Sequence, residues 1–167
     1  MCVCKEGNSI SMKVDNKFYE FLTSVEGKYK QVYLDSGGEP TIGIGHLLTL
    51  SERRSGKIII EKTAIEYRHG LTEQQVMALC LQDIRDVVNV VNRVVVVRIS
   101  QNQFNALVSF VFNIGNEGFR QSTLLRLLNQ ERFIDIPTQM RRWKYDNGKV
   151  VQGLINRREK EIQLWLS

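Results

Sequence analysis

A chain of 167 residues, 43% hydrophobic and 25% charged, has the length and composition of one soluble globular domain with a substantial core. No apolar run approaches the roughly 20 residues that cross a bilayer, so stable membrane insertion is excluded, and residues 1–12 hold no apolar stretch for a Sec-type signal. The net charge of +5 comes from the end of the chain, where residues 118–167 carry ten Lys/Arg against five Asp/Glu, either as a solvated surface or as a patch for a polyanion.

Residues 1–11 read as a disordered tail, with Met12 as an alternative start, and residues 12–167 as a single domain. The three cysteines, Cys2, Cys4 and Cys80, are odd in number and come without a signal peptide. Free thiols in a reducing compartment follow, with Cys80 buried in a helix. No His/Cys cluster has metal-ligand spacing.

Asp15 caps a helix whose apolar residues Phe18, Phe21, Leu22 and Val25 follow i, i+3, i+4, i+7 spacing. Gly27 stops it and leaves Glu26 in the last turn. From Tyr29 to His46 strand formers alternate with Ser36, Gly37, Gly38 and Pro40, which predicts an irregular hairpin or a three-stranded sheet. Residues 49–70 stay open between a helix and a loop with a short strand around Ile58–Ile60. Capping boxes at Thr72/Gln75 and Ser100/Gln103 start two helices, about 73–92 and 104–114, the second almost wholly apolar and central. Short amphipathic pieces follow around Leu124–Leu128 and Ile134–Trp143, then an Asn147-Gly148 turn. A last helix, about 153–166, points Leu154, Ile155, Ile162 and Trp165 inward. The fold class is α+β, with a β lobe at about 27–60 and a helical lobe at 72–167 plus the first helix.

Glu26 and Asp35 are nine residues apart, one at a helix end and one in the strand-and-turn region, so a cleft between those elements can hold both. Glycoside hydrolysis needs such a pair: one carboxyl group protonated for the leaving oxygen, the other ionised to direct water. Thr41 adds a hydroxyl that can orient that water. Two carboxylates alone are weak grounds, since most such pairs are surface residues. The segment around them is more specific. Glu26-x8-Asp35-x5-Thr41, running into Thr41-Ile-Gly-Ile-Gly-His46, resembles the signature of the phage lysozyme family, glycoside hydrolase family 24. Gln101–Gly115 with Ser122-Thr123-Leu124-Leu125, and Trp143 through Arg157-Arg158-Glu159, resemble the central-helix and C-terminal blocks of the same family, so the resemblance covers about residues 18–165.

The resemblance implies a lysozyme-like fold with the active-site cleft between a small N-terminal β lobe and a larger, mostly helical lobe. It implies hydrolysis of the β-1,4 bond between N-acetylmuramic acid and N-acetylglucosamine in peptidoglycan, hence bacteriolysis. Glu26 is then the acid, Asp35 and Thr41 hold the attacking water, and inversion results. Leu47, Phe112 and Ser122 fall where the family lines its saccharide cleft, although an aromatic such as Phe112 on an apolar helix is as readily core. No metal or cofactor is implied. The partner is the glycan strand, with no nucleic acid, and the chain acts as a monomer. It stays in the cytoplasm of the producing cell until a holin releases it. His46 is expected to be structural, paired with Asp83. One of Arg157 and Arg158 is expected to reach Glu26 and the other a core carboxylate, the sequence not saying which. A non-catalytic wall-binding relative, a basic nucleic-acid binder and a bacterial weapon with the same chemistry are the competing readings. The intact Glu26, Asp35 and Thr41 oppose the first, and the lack of interleaved aromatics and basic residues opposes the second.

Overall fold

The computed structural model describes residues 11–167. Cys2, Cys4 and nearly all of the expected tail lie outside the described residues.

Helix α1 (Asn16–Glu26) begins at Asp15, whose Oδ1 accepts from the Phe18 N–H at 3.2 Å, and ends at Gly27 (φ +76°). Only Phe18 and Leu22 of its apolar stripe are fully buried. The chain then forms a three-stranded antiparallel sheet, β1 (Tyr29–Leu34), β2 (Pro40–Gly43) and β3 (His46–Leu47), in the order β1-β2-β3. Of the two forms left open by the sequence, the three-stranded one is present.

Residues 49–70 contain both elements between which the sequence wavered. Helix α2 (Leu50–Ser55) starts on a Thr49/Glu52 capping box and stops at Gly56. Strands β4 (Lys57–Ile60) and β5 (Thr63–Glu66) pair as a hairpin. The period-two signal is hidden in the run of isoleucines because Ile58 and Ile60 are buried while Ile59 faces water. The strands therefore continue to Glu66, past the expected close at residue 60.

Helix α3 (Glu73–Val94) opens on the expected capping box, Thr72 with Gln75. Its valine-rich half stays helical because Val87, Val90 and Val91 are buried, and tertiary packing outweighs a mild propensity cost. Helix α4 (Gln101–Ile114) opens on Ser100 with Gln103 and is buried without interruption from Phe104 to Val111. It is the axis of the helical part. The later helices are α5 (Asn116–Arg120), α6 (Thr123–Asn129), α7 (Ile136–Arg141) and α8 (Gln152–Leu166), and α8 packs along α4. Ile134 begins no helix: it lies in a 3₁₀ turn, solvent-exposed, because Pro137 fixes the start of α7 at Ile136. The Asn147-Gly148 turn joins two short strands, β6 (Tyr145–Asp146) and β7 (Lys149–Val150), both turn residues having positive φ. The fold is α+β, with strands concentrated in the first part of the chain.

Candidate active site

Glu26 is held where α1 ends. Its Oε1 accepts from Arg157 Nη1 in a close ion pair, with side-chain exposures of 20% and 8%. The same carboxyl lies against Gly45 in the tight turn between β2 and β3. A Cβ at Gly45 would stand 3.1 Å from Glu26 Oε2 and 3.2 Å from its Cδ, and φ there is +70°. This is where the second glycine of Gly-Ile-Gly-His acts: it lets the backbone approach the acid. We predict that Gly45→Ala slows turnover at least tenfold by displacing the carboxyl, and costs about 1–2 kcal/mol for a left-handed non-glycine residue. Rate and urea unfolding measured together check this; a variant with unchanged rate would show that Glu26 tolerates displacement.

Asp35 follows β1. Its Oδ1 accepts from the backbone N–H of Gly37 at 2.9 Å and of Glu39 at 2.8 Å, so that oxygen is used in building the turn. Oδ2 takes no part in those turn hydrogen bonds. Thr41 is buried in β2, and its Oγ1 donates to the Glu39 carbonyl at 3.0 Å, leaving the hydroxyl oxygen as an acceptor. The register puts Tyr33, Thr41 and Leu47 opposite one another on adjacent strands, hence on one face of the sheet. Leu47 is half exposed there. Tyr33 was not among the expected site residues. Burial pushes its hydroxyl pKa up, and the charges of Glu26, Tyr29 and Asp35 push it further. Tyr29 packs against it, the two rings tilted by 33° with centroids 4.0 Å apart.

Phe112 and Ser122 lie on other elements, α4 and the start of α6. Phe112 is half buried on α4 and packs against the core. Ser122 caps α6, accepting from Leu125 N–H at 3.0 Å and donating to the Phe119 carbonyl at 2.7 Å. It lines a cavity of about 490 Å³ with Gln121, Thr123, Gln139, Trp143 and Tyr145, none of them from the β1-β2-β3 sheet.

The two arginines of α8 divide as the sequence allowed, and the structure gives the assignment. Arg157 takes Glu26; Arg158 takes the carboxylate of Glu161, which is completely buried. Burial pushes Arg158 down to about 10, against the pull of Glu161, and pushes Glu161 up, against Arg158, Arg157 and the Ser109 hydroxyl. Arg158 also lies over the Phe110 ring, 4.9 Å from its centroid.

His46 Nδ1 stands 2.8 Å from Asp83 Oδ2, joining β3 to α3. The sequence missed a second partner: Nε2 is 3.2 Å from Glu52 Oε2, the carboxylate that also completes the α2 capping box. Burial lowers the His46 pKa, but the two carboxylates outweigh it and the net direction is up. A raised folded-state pKa contributes stability that is fully present below the unfolded value of about 6.5 and is lost as pH rises through the folded value. His46→Asn should therefore cost about 2–3 kcal/mol at pH 5 and progressively less above neutrality. A cost that is constant from pH 5 to 9 would contradict the double clamp. Cys80, buried on α3, is pushed up to about 12 by burial and by Asp83 and Glu26, which makes it a poor nucleophile.

Comparison with known proteins gives the family. The phage lysozyme family model matches residues 23–161. The endolysin of Salmonella phage P22 is 32% identical over 156 residues, covering 93% of this chain and 99% of that protein. The endolysin of Bacillus phage PZA is 33% identical over 158 residues, and this chain spans only 56% of its length. Among solved structures, the muramidase domain of SpmX from Asticaccaulis excentricus superposes with a TM-score of 0.72 at 34% identity, covering 93% of this chain and 98% of that one. On the match to most of the chain and to the whole of the P22 endolysin, this chain belongs to the phage lysozyme family.

Proposed function

We propose that the chain is a muramidase that cleaves the β-1,4 bond between N-acetylmuramic acid and N-acetylglucosamine in peptidoglycan. The observation that carries this is Glu26, held by Arg157 at the end of α1 and pressed against Gly45 in the β2–β3 turn. In the reaction Glu26 gives its proton to the glycosidic oxygen as the bond to the anomeric carbon breaks. Asp35, through Oδ2, and Thr41, through Oγ1, orient a water. Its oxygen forms the new bond to that carbon and its proton passes to the Asp35 carboxylate. The product configuration is inverted. No step calls for a metal or cofactor.

We read the active species as a monomer working on glycan strands, without a nucleic-acid partner, and Phe112, Ser122 and Leu47 as saccharide contacts. We further propose that it waits in the producing cell's cytoplasm for release by a holin; fractionation before and after holin expression tests this. The chemistry is tested by incubating purified walls with the protein. Clearing with new reducing ends on muramic acid supports the reading, and reducing ends on glucosamine overturn it. Proton NMR of the first product should show the α-anomer, and a first-formed β-anomer would exclude the water-directing role of Asp35.

A further inference from the structure

Behind the acid stands a second carboxylate that the reaction does not touch. Glu161, on α8, is fully buried, and its surroundings are almost entirely donors. Oε1 accepts from Arg157 Nε at 3.0 Å, from Ser109 Oγ at 2.8 Å and from Arg158 Nη2 at 3.3 Å; Oε2 lies 2.9 Å from Arg158 Nε. Guanidinium groups have no acceptor, so a proton on Glu161 would find only the Ser109 oxygen to bond. Burial favours the neutral form, but a proton on Glu161 would forfeit these charged donors, so the contact geometry fits the carboxylate. Arg157 is thereby fixed at every nitrogen: Nε on Glu161, Nη2 on the Ser109 carbonyl at 3.1 Å, and Nη1 on Glu26.

We propose that Glu161, with the Ser109 hydroxyl, is a positioning residue for the acid: it aims the Arg157 fork at Glu26 and offsets the charge that Arg157 and Arg158 bring to it. This rests on the reading of Glu26 as general acid. A bare guanidinium beside a carboxyl favours its ionised form, and a general acid must keep its proton until the glycosidic oxygen arrives. With Glu161 ionised, the buried set Arg157, Arg158 and Glu161 carries a net charge of +1; without it the set carries +2. The other groups near Glu26 are Tyr33 on β1, Cys80 on α3 and Lys160 on α8, which donates to the Ser24 carbonyl at 3.5 Å. Asp35, in the turn after β1, is the other carboxylate of the site and is unchanged in every variant below, and the rest supply no compensating negative charge at neutral pH.

The test uses Glu161→Gln in the full chain, with two readouts: the pH profile of wall clearing and the titration of the Glu26 carboxyl carbon by ¹³C NMR. We expect the alkaline limb of the profile and the NMR midpoint to move down by roughly one pH unit, a tenfold loss of rate at fixed pH on that limb with recovery on acidification. The double variant Arg158→Gln/Glu161→Gln, which returns the buried charge to +1, should move both back toward the wild-type position. Glu161→Asp should hold most of the wild-type profile. A folded Glu161→Gln whose limb and midpoint stay put overturns the proposal. If that variant does not fold, Ser109→Ala carries the test, with a smaller shift in the same direction expected and an unmoved midpoint fatal. Wild-type protein that fails to clear walls would sink the muramidase reading instead, while the NMR midpoint still decides the role of Glu161.

Discussion

Glu26→Gln is expected to lower wall clearing by about 10²–10⁴-fold while the protein stays folded, because proton donation to a leaving oxygen is typically worth that much. The amide matches the carboxyl in size, so the close approach to Gly45 is preserved. It also keeps a carbonyl oxygen for Arg157 Nη1, so the ion pair becomes a neutral acceptor for a charged donor. What the amide lacks is an acidic proton. Circular dichroism and thermal unfolding separate loss of chemistry from loss of fold. If the variant clears walls at more than half the wild-type rate, the acid lies elsewhere and the site has been misread.

The part of the site that reads directly from the sequence is local. Glu26, Asp35, Thr41 and Gly45 lie within one short stretch, and each sits where a helix stop, a turn or a strand register fixes it. Capping boxes at Thr72 and Ser100 are equally local, since side chain and backbone partner are three residues apart. What the sequence withholds depends on the packing of distant elements. Arg157 and Arg158 are neighbours in the chain, but successive helix positions point about 100° apart. One therefore meets Glu26 across the end of α1, and the other meets Asn113 and the Phe110 ring on α4. That choice is set by how α8 lies on α4, which no window of sequence contains.

Glu161 shows the same limit from another side. On α8 it is spaced i+4 from Arg157 and i+3 from Arg158, a pattern that ordinarily marks an exposed helix face. Here that face is inside the protein, because Ser109 on the buried helix α4 offers it a hydroxyl. Glu52 was hidden for a simpler reason: the capping box occupies it, and one carboxylate oxygen then also serves His46. Tyr33 looked like an ordinary strand former until the register set it beside Thr41.

The network behind the acid should also dominate stability, and Arg157→Met is expected to be the costliest single change. The methionine fills much of the space of the arginine stem, so the loss is mainly of donors. Glu161 is left with Arg158 and the Ser109 hydroxyl, the Ser109 carbonyl loses its side-chain donor, and Glu26 loses the guanidinium that holds it. Breaking a buried charge network by deleting one partner costs about 3–5 kcal/mol. For a protein of this length each kcal/mol lowers Tm by about 2–4 °C, so a fall of roughly 10 °C is expected. Arg157→Lys keeps the charge but not the planar fork, and a single ammonium cannot serve Glu26, Ser109 and Glu161 together; it should forfeit at least half of the same stability. Adding Glu161→Gln to Arg157→Met should cost less than the sum of the two single changes, because the carboxylate left stranded by the first is removed by the second. Additive losses, or a single-variant cost below about 1 kcal/mol, would mean that water solvates these groups in the folded protein and that the network is not dry.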